Sequence, residues 1–190
     1  MIYQVLKAYF DFRSLNFTEQ CRIHLHNRRM EARKLDLNPR SMSLIYDKLD
    51  LEWHDDDGLP VPDITILSDK LVFSEKAMSA LSSILPEHAE QLTYTLDGQE
   101  WTLVDLVTPM QSAIDQISDE ETLMLVAHDL DEPAILTFSK DQTLPEIFNI
   151  TEPDLRFFCQ DQFKAIVEEN NLTGIVITEN LVTQDYQLLS

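Results

Sequence analysis

The apolar positions of this chain fall into short runs of two different periods. Ile2-Tyr-Gln-Val-Leu-Lys-Ala-Tyr-Phe10 is rich in β-branched and aromatic residues and has no helical stripe, which predicts an N-terminal strand. Asp63-Ile-Thr-Ile-Leu67 predicts another short strand, and Leu71-Val-Phe-Ser74 leads directly into a helix. Ser74 stands at the cap of that helix and Glu75 in its first turn. Ala77, Met78, Leu81, Ile84 and Leu85 then recur at helical spacing until Pro86 stops them. Gln91–Leu96 and Gln99–Val107 alternate on either side of Asp97-Gly98, a dipeptide that supplies the positive φ angles of a tight hairpin turn.

Further along, Thr122–Ala127 and Ala134–Phe138 read as strands around an acidic turn at Asp129 to Pro133, after a polar, acidic stretch that includes Asp115, Asp119, Glu120 and Glu121. Glu146–Ile150 and Leu155–Phe158 predict two more strands, and Asp161–Asn170 a helix with Phe163, Ile166 and Val167 inward. Leu172-Thr-Gly174 makes a turn before a last strand, Ile175–Thr178. Thr18 to Leu35 is polar and basic, with Arg22, Arg28, Arg29, Arg33 and Lys34, and its pattern assigns it no element. Ser43–Trp53 alternates only in part, and His54-Asp-Asp-Asp-Gly-Leu-Pro-Val-Pro62 is turn chemistry in an exposed loop.

The expected fold is α+β: one domain over residues 1–190, mainly antiparallel sheet with two principal packed helices. Residues 1–60 are its N-terminal part, where the pattern fixes the elements least. Val72–Leu81 laid over Phe157–Ile166 matches Phe73 with Phe158, Ser74 with Cys159 and Leu81 with Ile166, so two similar strand–helix units are expected.

Composition narrows the chemistry. The 44% hydrophobic content supports a packed core, unlike a disordered acidic tail. With glycine only at Gly58, Gly98 and Gly174, glycine-rich phosphate loops are excluded. No stretch approaches the roughly 18 apolar residues that span a bilayer, and Met1-Ile-Tyr-Gln-Val lacks a signal-peptide start, so a cytoplasmic address is expected. Cys21 and Cys159 sit in no CxxC or Cys/His spacing and read as reduced, buried thiols. The net charge of −20 opposes binding to nucleic acid or to anionic lipid, and leaves a basic protein as the expected partner. The charge is uneven: residues 1–48 hold nine Lys/Arg against five Asp/Glu, which leaves five against 29 in the remainder, or +4 and −24.

Candidate reactive groups do not assemble in sequence. His24-Leu-His26 with Cys21 fits no ligand spacing; a strand there would place both imidazoles on one face, beside Arg22, Arg28 and Arg29, which oppose a cation. Asp55-Asp56-Asp57, and Asp129, Asp131 and Glu132 with His128, offer the oxygens that calcium or magnesium prefers, but lack the alternate spacing and distal Glu of an EF-hand loop. Both read as solvated acidic loops. There is no GxSxG elbow and no cysteine-hydrolase context. No metal, cofactor or catalytic residue is therefore assigned, and the expected protein is not an enzyme.

Two segments carry a resemblance. Pro62-Asp-Ile-Thr-Ile-Leu-Ser-Asp-Lys-Leu-Val-Phe-Ser-Glu-Lys-Ala-Met-Ser-Ala-Leu81, followed by the hairpin, and Glu146-Ile-Phe-Asn-Ile150 through Leu155-Arg-Phe-Phe158, a helix and Asn171-Leu-Thr-Gly-Ile175 resemble bacterial immunity protein family eleven over roughly residues 60 to 180. Its most specific points are Ser74-Glu75-Lys76 and Leu172-Thr-Gly-Ile175. The chain differs from that family in having Glu179-Asn-Leu181 where an aromatic often follows the closing strand, and in lacking glycines ahead of the first helix. The resemblance implies a protein encoded beside a polymorphic or contact-delivered toxin that protects the producing cell by binding that toxin in the cytoplasm, and it brings no catalytic residues. On this reading Asp55, Asp56, Asp57, Asp129, Asp131 and Glu132 meet a basic toxin surface, with Trp53 as a candidate anchor whose competing reading is core packing. Two other classes stand beside it: an enzyme whose carboxylate and histidine site assembles only in space, and an acidic mimic of nucleic acid acting as a regulatory subunit. The oligomeric state is not legible.

Overall fold

Two four-stranded antiparallel sheets share one core, and each is built in the same order. The computed structural model describes residues 1–37, 42–54, 58–118, 135–152 and 155–182. The first sheet contains β4 (Ile64–Leu67), β5 (Lys70–Ser74), β6 (Glu90–Leu96) and β7 (Gln99–Asp105) in the order β4-β5-β7-β6, with helix α3 (Glu75–Leu81) between β5 and β6. The second contains β10 (Ile147–Ile150), β11 (Arg156–Gln160), β12 (Ile175–Thr178) and β1 (Ile2–Lys7) in the order β10-β11-β1-β12, with helix α4 (Asp161–Glu169) between β11 and β12. The α+β class is thus observed. The position of β7 in the first unit is taken in the second by β1, from the opposite end of the chain.

The equivalence extends to side chains, in a register one residue away from the sequence overlay. The helix caps set it: Ser74 caps α3 by accepting a hydrogen bond from Ala77 N at 3.2 Å, and Gln160 stands at the same place before α4. Ser74 therefore corresponds to Gln160 rather than Cys159. Phe73 then matches Cys159, Ala77 matches Phe163, and Leu81 matches Val167, all buried in one cluster with Ile64, Leu71, Val104, Ile147, Phe157 and Val5. The sequence overlay pairs apolar residues by kind, whereas the structure sets a small Ala in one unit at the place of a large Phe in the other, within the one core that the two touching helices share.

Both sheets are covered on their second face, which is why β5 and β11 read as unbroken apolar runs rather than as alternating ones. On β5 and β7, Leu71, Phe73 and Val104 face the shared core, while Val72, Trp101 and Leu103 face a second cluster. That second cluster is closed by the insertion between β1 and β4: β2 (Leu15–Phe17), helix α1 (Glu19–Lys34), the short helix α2 (Met42–Ile45) and β3 (Leu51–Trp53). On the other sheet, Phe148, Ile150 and Phe158 are covered by β8 (Ile114–Ile117) and β9 (Leu136–Phe138), from the insertion between β7 and β10. Phe138 packs edge-on to Phe148 and Phe158, with centroids 5.3 and 5.1 Å away.

Several expectations change here. Thr18–Leu35 is a helix: the Thr18 hydroxyl accepts from Cys21 N at 3.2 Å, Glu19 lies in the first turn, and Arg33 and Lys34 lie in the last, each favourable to the helix dipole. Its apolar stripe is thin, only Cys21, Leu25 and Ala32 being buried, because Arg28 and Arg29 occupy the intervening turn and reach Glu31 and the Tyr46 hydroxyl. In a helix His24 and His26 point to different sides, so the one-face expectation fails, and His24 pairs with Asp47 at 2.8 Å. Ile114–Ile117, expected as a polar stretch, is a strand whose bulge between Ile114 and Gln116 turns both isoleucines toward the aromatic cluster. The expected strand Thr122–Ala127 and the acidic turn at Asp129 to Pro133 lie outside the described residues.

A largely buried ion cluster ties β5 to β7 beside Tyr46 of the N-terminal insertion. Lys70, 2% exposed, extends its ammonium to Asp69 at 2.8 Å and to Asp105 at 3.0 Å, with Tyr46 of the insertion buried beside it. Burial works to lower the Lys70 pKa, but the two carboxylates outweigh it and hold the amine above its ordinary value; burial pushes the Asp105 carboxyl up against the pull of Lys70. Removing one partner strands the other's charge in the interior. Lys70→Met should therefore lower unfolding free energy by about 3–5 kcal/mol in urea titrations, and Lys70→Met with Asp105→Leu should regain most of that loss.

The exposed pair on α1 gives a pH prediction. The His24 hydrogen bond, helped by Arg28 at 3.5 Å, holds Asp47 below its ordinary carboxylate value. A lowered folded-state pKa contributes stability above the unfolded value, near pH 4, and loses it as pH falls through the folded value. Asp47→Asn should lower the melting temperature modestly near neutrality and flatten its fall below about pH 4, so that variant and wild type converge at low pH in thermal melts.

Candidate functional site

Two segments far apart in sequence, Pro62–Leu81 and Asn171–Ile175, meet at one carboxylate. Asp63 stands just ahead of β4, and its Oδ2 accepts from Thr173 N at 3.0 Å, from the Thr173 hydroxyl at 3.0 Å and from Lys76 Nζ at 3.1 Å. Lys76 Nζ also donates to the Asn171 carbonyl at 3.0 Å, while Asp63 N and Ile64 N both donate to the Thr173 carbonyl. Ser74 N donates to the Asp63 carbonyl at 2.8 Å, which ties the cap of α3 into the same knot. The Ser74-Glu75-Lys76 helix start and the Asn171-Leu-Thr-Gly174 turn are therefore locked together through Asp63.

Local backbone geometry makes the junction possible. Asn171 ends α4 with φ of 47° and Gly174 follows with φ of 101°, so the chain reverses within four residues and enters β12. A Cβ on Gly174 would stand 2.1 Å from the Ile64 carbonyl oxygen and 2.2 Å from Pro62 Cβ, so no other residue fits beside the start of β4. Gly174 also accepts, through its carbonyl, a bond from Ala8 N at 3.0 Å, which brings the end of β1 to the same place.

Beside this knot lies a polar cleft of about 460 Å³, lined by Asp63, Ser74, Glu75, Lys76 and, from the β6–β7 turn, Gly98, Gln99 and Glu100. Its carboxylates outnumber its one cation, and that cation is held by Asp63 and Asn171. Asp63 accepts hydrogen bonds from Thr173 and Lys76, and so serves as a structural acceptor. Among the described residues no group of three or more His, Cys, Asp and Glu is arranged to hold a metal ion. Both thiols are buried: burial, with Glu146 nearby, pushes Cys159 up to about 12, and burial raises Cys21, which disfavours the nucleophilic thiolate.

Of the residues expected to meet a partner, Trp53 is on β3, partly buried and packed edge-on to Trp101 with centroids 5.1 Å apart. Asp55, Asp56, Asp57, Asp129, Asp131 and Glu132 lie outside the described residues. The residues that bracket the first acidic run are anchored: His54 N donates to the Ser14 carbonyl at 2.8 Å, Arg13 N to the Pro60 carbonyl at 3.0 Å, and Arg13 Nε to the Leu59 carbonyl at 2.9 Å.

The sequence reading missed the turn after β1. The pattern of Ile2–Phe10 predicts a strand that runs through Tyr9 and Phe10, but β1 stops at Lys7, and these two are the exposed aromatic side chains among the described residues. The signal that could have found them is Asp11: with Asp in place of a continuing β-former, the run Tyr9-Phe10-Asp11 reads as a turn as readily as a strand end.

Compared with known proteins, the chain matches no family model, and no curated protein matches its sequence.

The junction predicts a graded response to substitution. Gly98, at φ 77° with open space around it, should tolerate alanine at a cost of about 1 kcal/mol for the strained turn. Gly174→Ala, which adds an overlap with backbone to a similar strain, should cost about 3 kcal/mol or more, read as the difference in urea midpoint between the two variants.

Proposed function

We propose that this protein is an immunity protein that binds a cognate bacterial toxin, a basic one, and neutralises it by covering its active or essential surface. The observation that carries this reading is the combination of a net charge of −20 with an exposed aromatic turn on an otherwise well-packed body. Charge of that size accelerates capture of a cationic protein, and partly exposed aromatic residues supply the contact energy that holds it. An immunity protein must do both, because a toxin left unbound for long kills the cell.

Nanomolar affinity corresponds to about −12 kcal/mol, more than charge attraction screened by cellular salt provides. The reading therefore asks for a contact surface with apolar anchors as well as for the acidic field. The family resemblance in Pro62–Leu81 and Glu146–Ile175 supports the same assignment and points to a toxin gene beside this one. The cytoplasm is the expected compartment, where the producing cell meets its own toxin.

Expression of the neighbouring toxin gene should kill cells, co-expression of this chain should restore growth, and the two products should copurify in a complex. Normal growth of cells making the toxin alone would remove the reading. So would turnover of a small molecule by the purified chain that is lost on changing a residue of the Asp63 cleft, which would instead favour an enzyme.

A further inference from the structure

We propose that the free edge of strand β6 is an interface between two copies of this chain, which pair antiparallel there so that their first sheets join into one of eight strands. The pairing is independent of the neutralising function. β6 lies at the end of the order β4-β5-β7-β6 and runs for seven residues along β7 without a register shift. Its hairpin decides which backbone groups are left over. Asp97 and Gly98, at φ 53° and 77°, form a two-residue turn with both residues at positive φ, so Leu96 and Gln99 exchange a pair of hydrogen bonds. Such pairs then recur at every second residue, at Tyr94 with Trp101 and at Leu92 with Leu103. The N–H and C=O groups of Gln91, Thr93 and Thr95 therefore point away from β7, and among the described residues no other backbone group bonds to them.

The other sheet edges are closed or short. β4 follows Pro60 and Pro62, and Asp63 N and Ile64 N both donate to the Thr173 carbonyl. On β10 the Asn149 carbonyl accepts from Met110 N at 2.8 Å, and β12 is four residues long. β6 has none of the usual guards of an edge: Gln91–Leu96 contains no proline, no lysine and no bulge. Gln91, Thr93 and Thr95 are exposed, while Leu92, Tyr94 and Leu96 are half-buried against the second cluster.

The charge pattern selects a second copy as the occupant. Residues 49–190 hold 29 Asp/Glu against five Lys/Arg, yet Gln91–Leu96 carries no charge. An edge matched to a basic partner would carry carboxylates and one matched to an acidic partner would carry cations. An edge that meets itself across a two-fold axis must carry neither at the axis, where a charge faces its like. Centred on Thr93, the pairing sets Gln91 opposite Thr95, Leu92 opposite Tyr94, and Glu90 opposite Leu96 rather than opposite another carboxylate. Glu90 Oε2 is in addition engaged by Met42 N at 2.8 Å. Thr–Thr and aromatic–aliphatic neighbours stabilise paired strands, and the Leu92–Tyr94 contacts cover the row that a single copy leaves half-exposed. Two bodies of −20 repel at long range, so this pairing tightens as salt screens them, the opposite of the dependence expected for capture of a basic partner.

The full chain is its own probe. Sedimentation equilibrium up to about 300 µM chain should show a reversible dimer at about 0.5 M salt, with association about 10-fold weaker at about 0.05 M. Thr93→Glu sets a carboxylate against its own copy on the axis, and Thr93→Pro removes an outward N–H while sparing the bonds to β7. Each should weaken association about 10-fold or more, whereas Gln20→Glu, the same added charge on the exposed face of α1, should change it less than about 2-fold. Amide exchange followed by NMR reads the edge without any substitution: the Gln91, Thr93 and Thr95 N–H groups should exchange about 3-fold or more slowly at high chain concentration than at low. Should Thr93→Pro fail to fold, Thr93→Glu and amide exchange decide. A chain that stays monomeric throughout overturns the proposal. So does a dimer that both Thr93 variants retain, or protection of these amides that arises only on adding the toxin, which would assign the edge to that partner instead.

Discussion

The structure depends on one core that neither sheet could close alone. Leu71, Phe73, Ala77 and Leu81 of the first unit pack with Phe157, Cys159, Phe163 and Val167 of the second, and each unit's helix touches the other. The second unit is completed by β1, so contacts between Tyr3 and Cys159, or Val5 and Phe157, join the two ends of the chain. Such pairing has a high loop-closure cost that only extensive apolar burial offsets. Cooperative unfolding of the described body as one unit is the thermodynamic consequence, since loss of β1 would open the core of both units.

With the inner faces committed to that core and the outer faces closed by the two insertions, the body leaves function to its turns. The Asp63 junction gathers four of them: the end of β1, the approach to β4, the start of α3 and the entry to β12. Its hydrogen bonds tie these segments to one another and its cation is engaged, so the junction works as a clamp. Next to it the chain leaves β1 into the Tyr9–Phe10 turn, whose aromatic side chains are exposed. Rigidity below and exposure above is the arrangement that favours tight binding to a protein surface.

Much of the fold was legible in the sequence, for reasons that can be named. Ser74, Glu75 and the spacing of Ala77 and Leu81 set α3; Asp97-Gly98, at φ 53° and 77°, set the β6–β7 hairpin; Phe163 and Val167 set the inward face of α4. These are local signals, each decided within one turn of chain. Helix α1 was missed because its stripe is interrupted by Arg28 and Arg29, even though Thr18, Glu19 and Lys34 carried usable end signals. The place of β1 in the second unit depends on residues more than 150 positions away, which no local pattern encodes. For the site, the sequence pointed to charge in the acidic runs and to Trp53, and passed over Phe10, because exposure of an apolar residue is a property of the assembled surface.

Contact and charge do separate work in the proposed capture of a partner, and association kinetics can tell them apart. The direct measurement is stopped-flow binding of the wild-type chain to the inactivated form of the toxin proposed as its partner, across ionic strength. The account predicts an association rate constant that falls steeply as salt rises and a dissociation rate constant that hardly changes, because the acidic field speeds encounter and apolar contact sets residence. An association rate constant independent of salt would contradict the claim that the −20 charge serves to capture a basic partner.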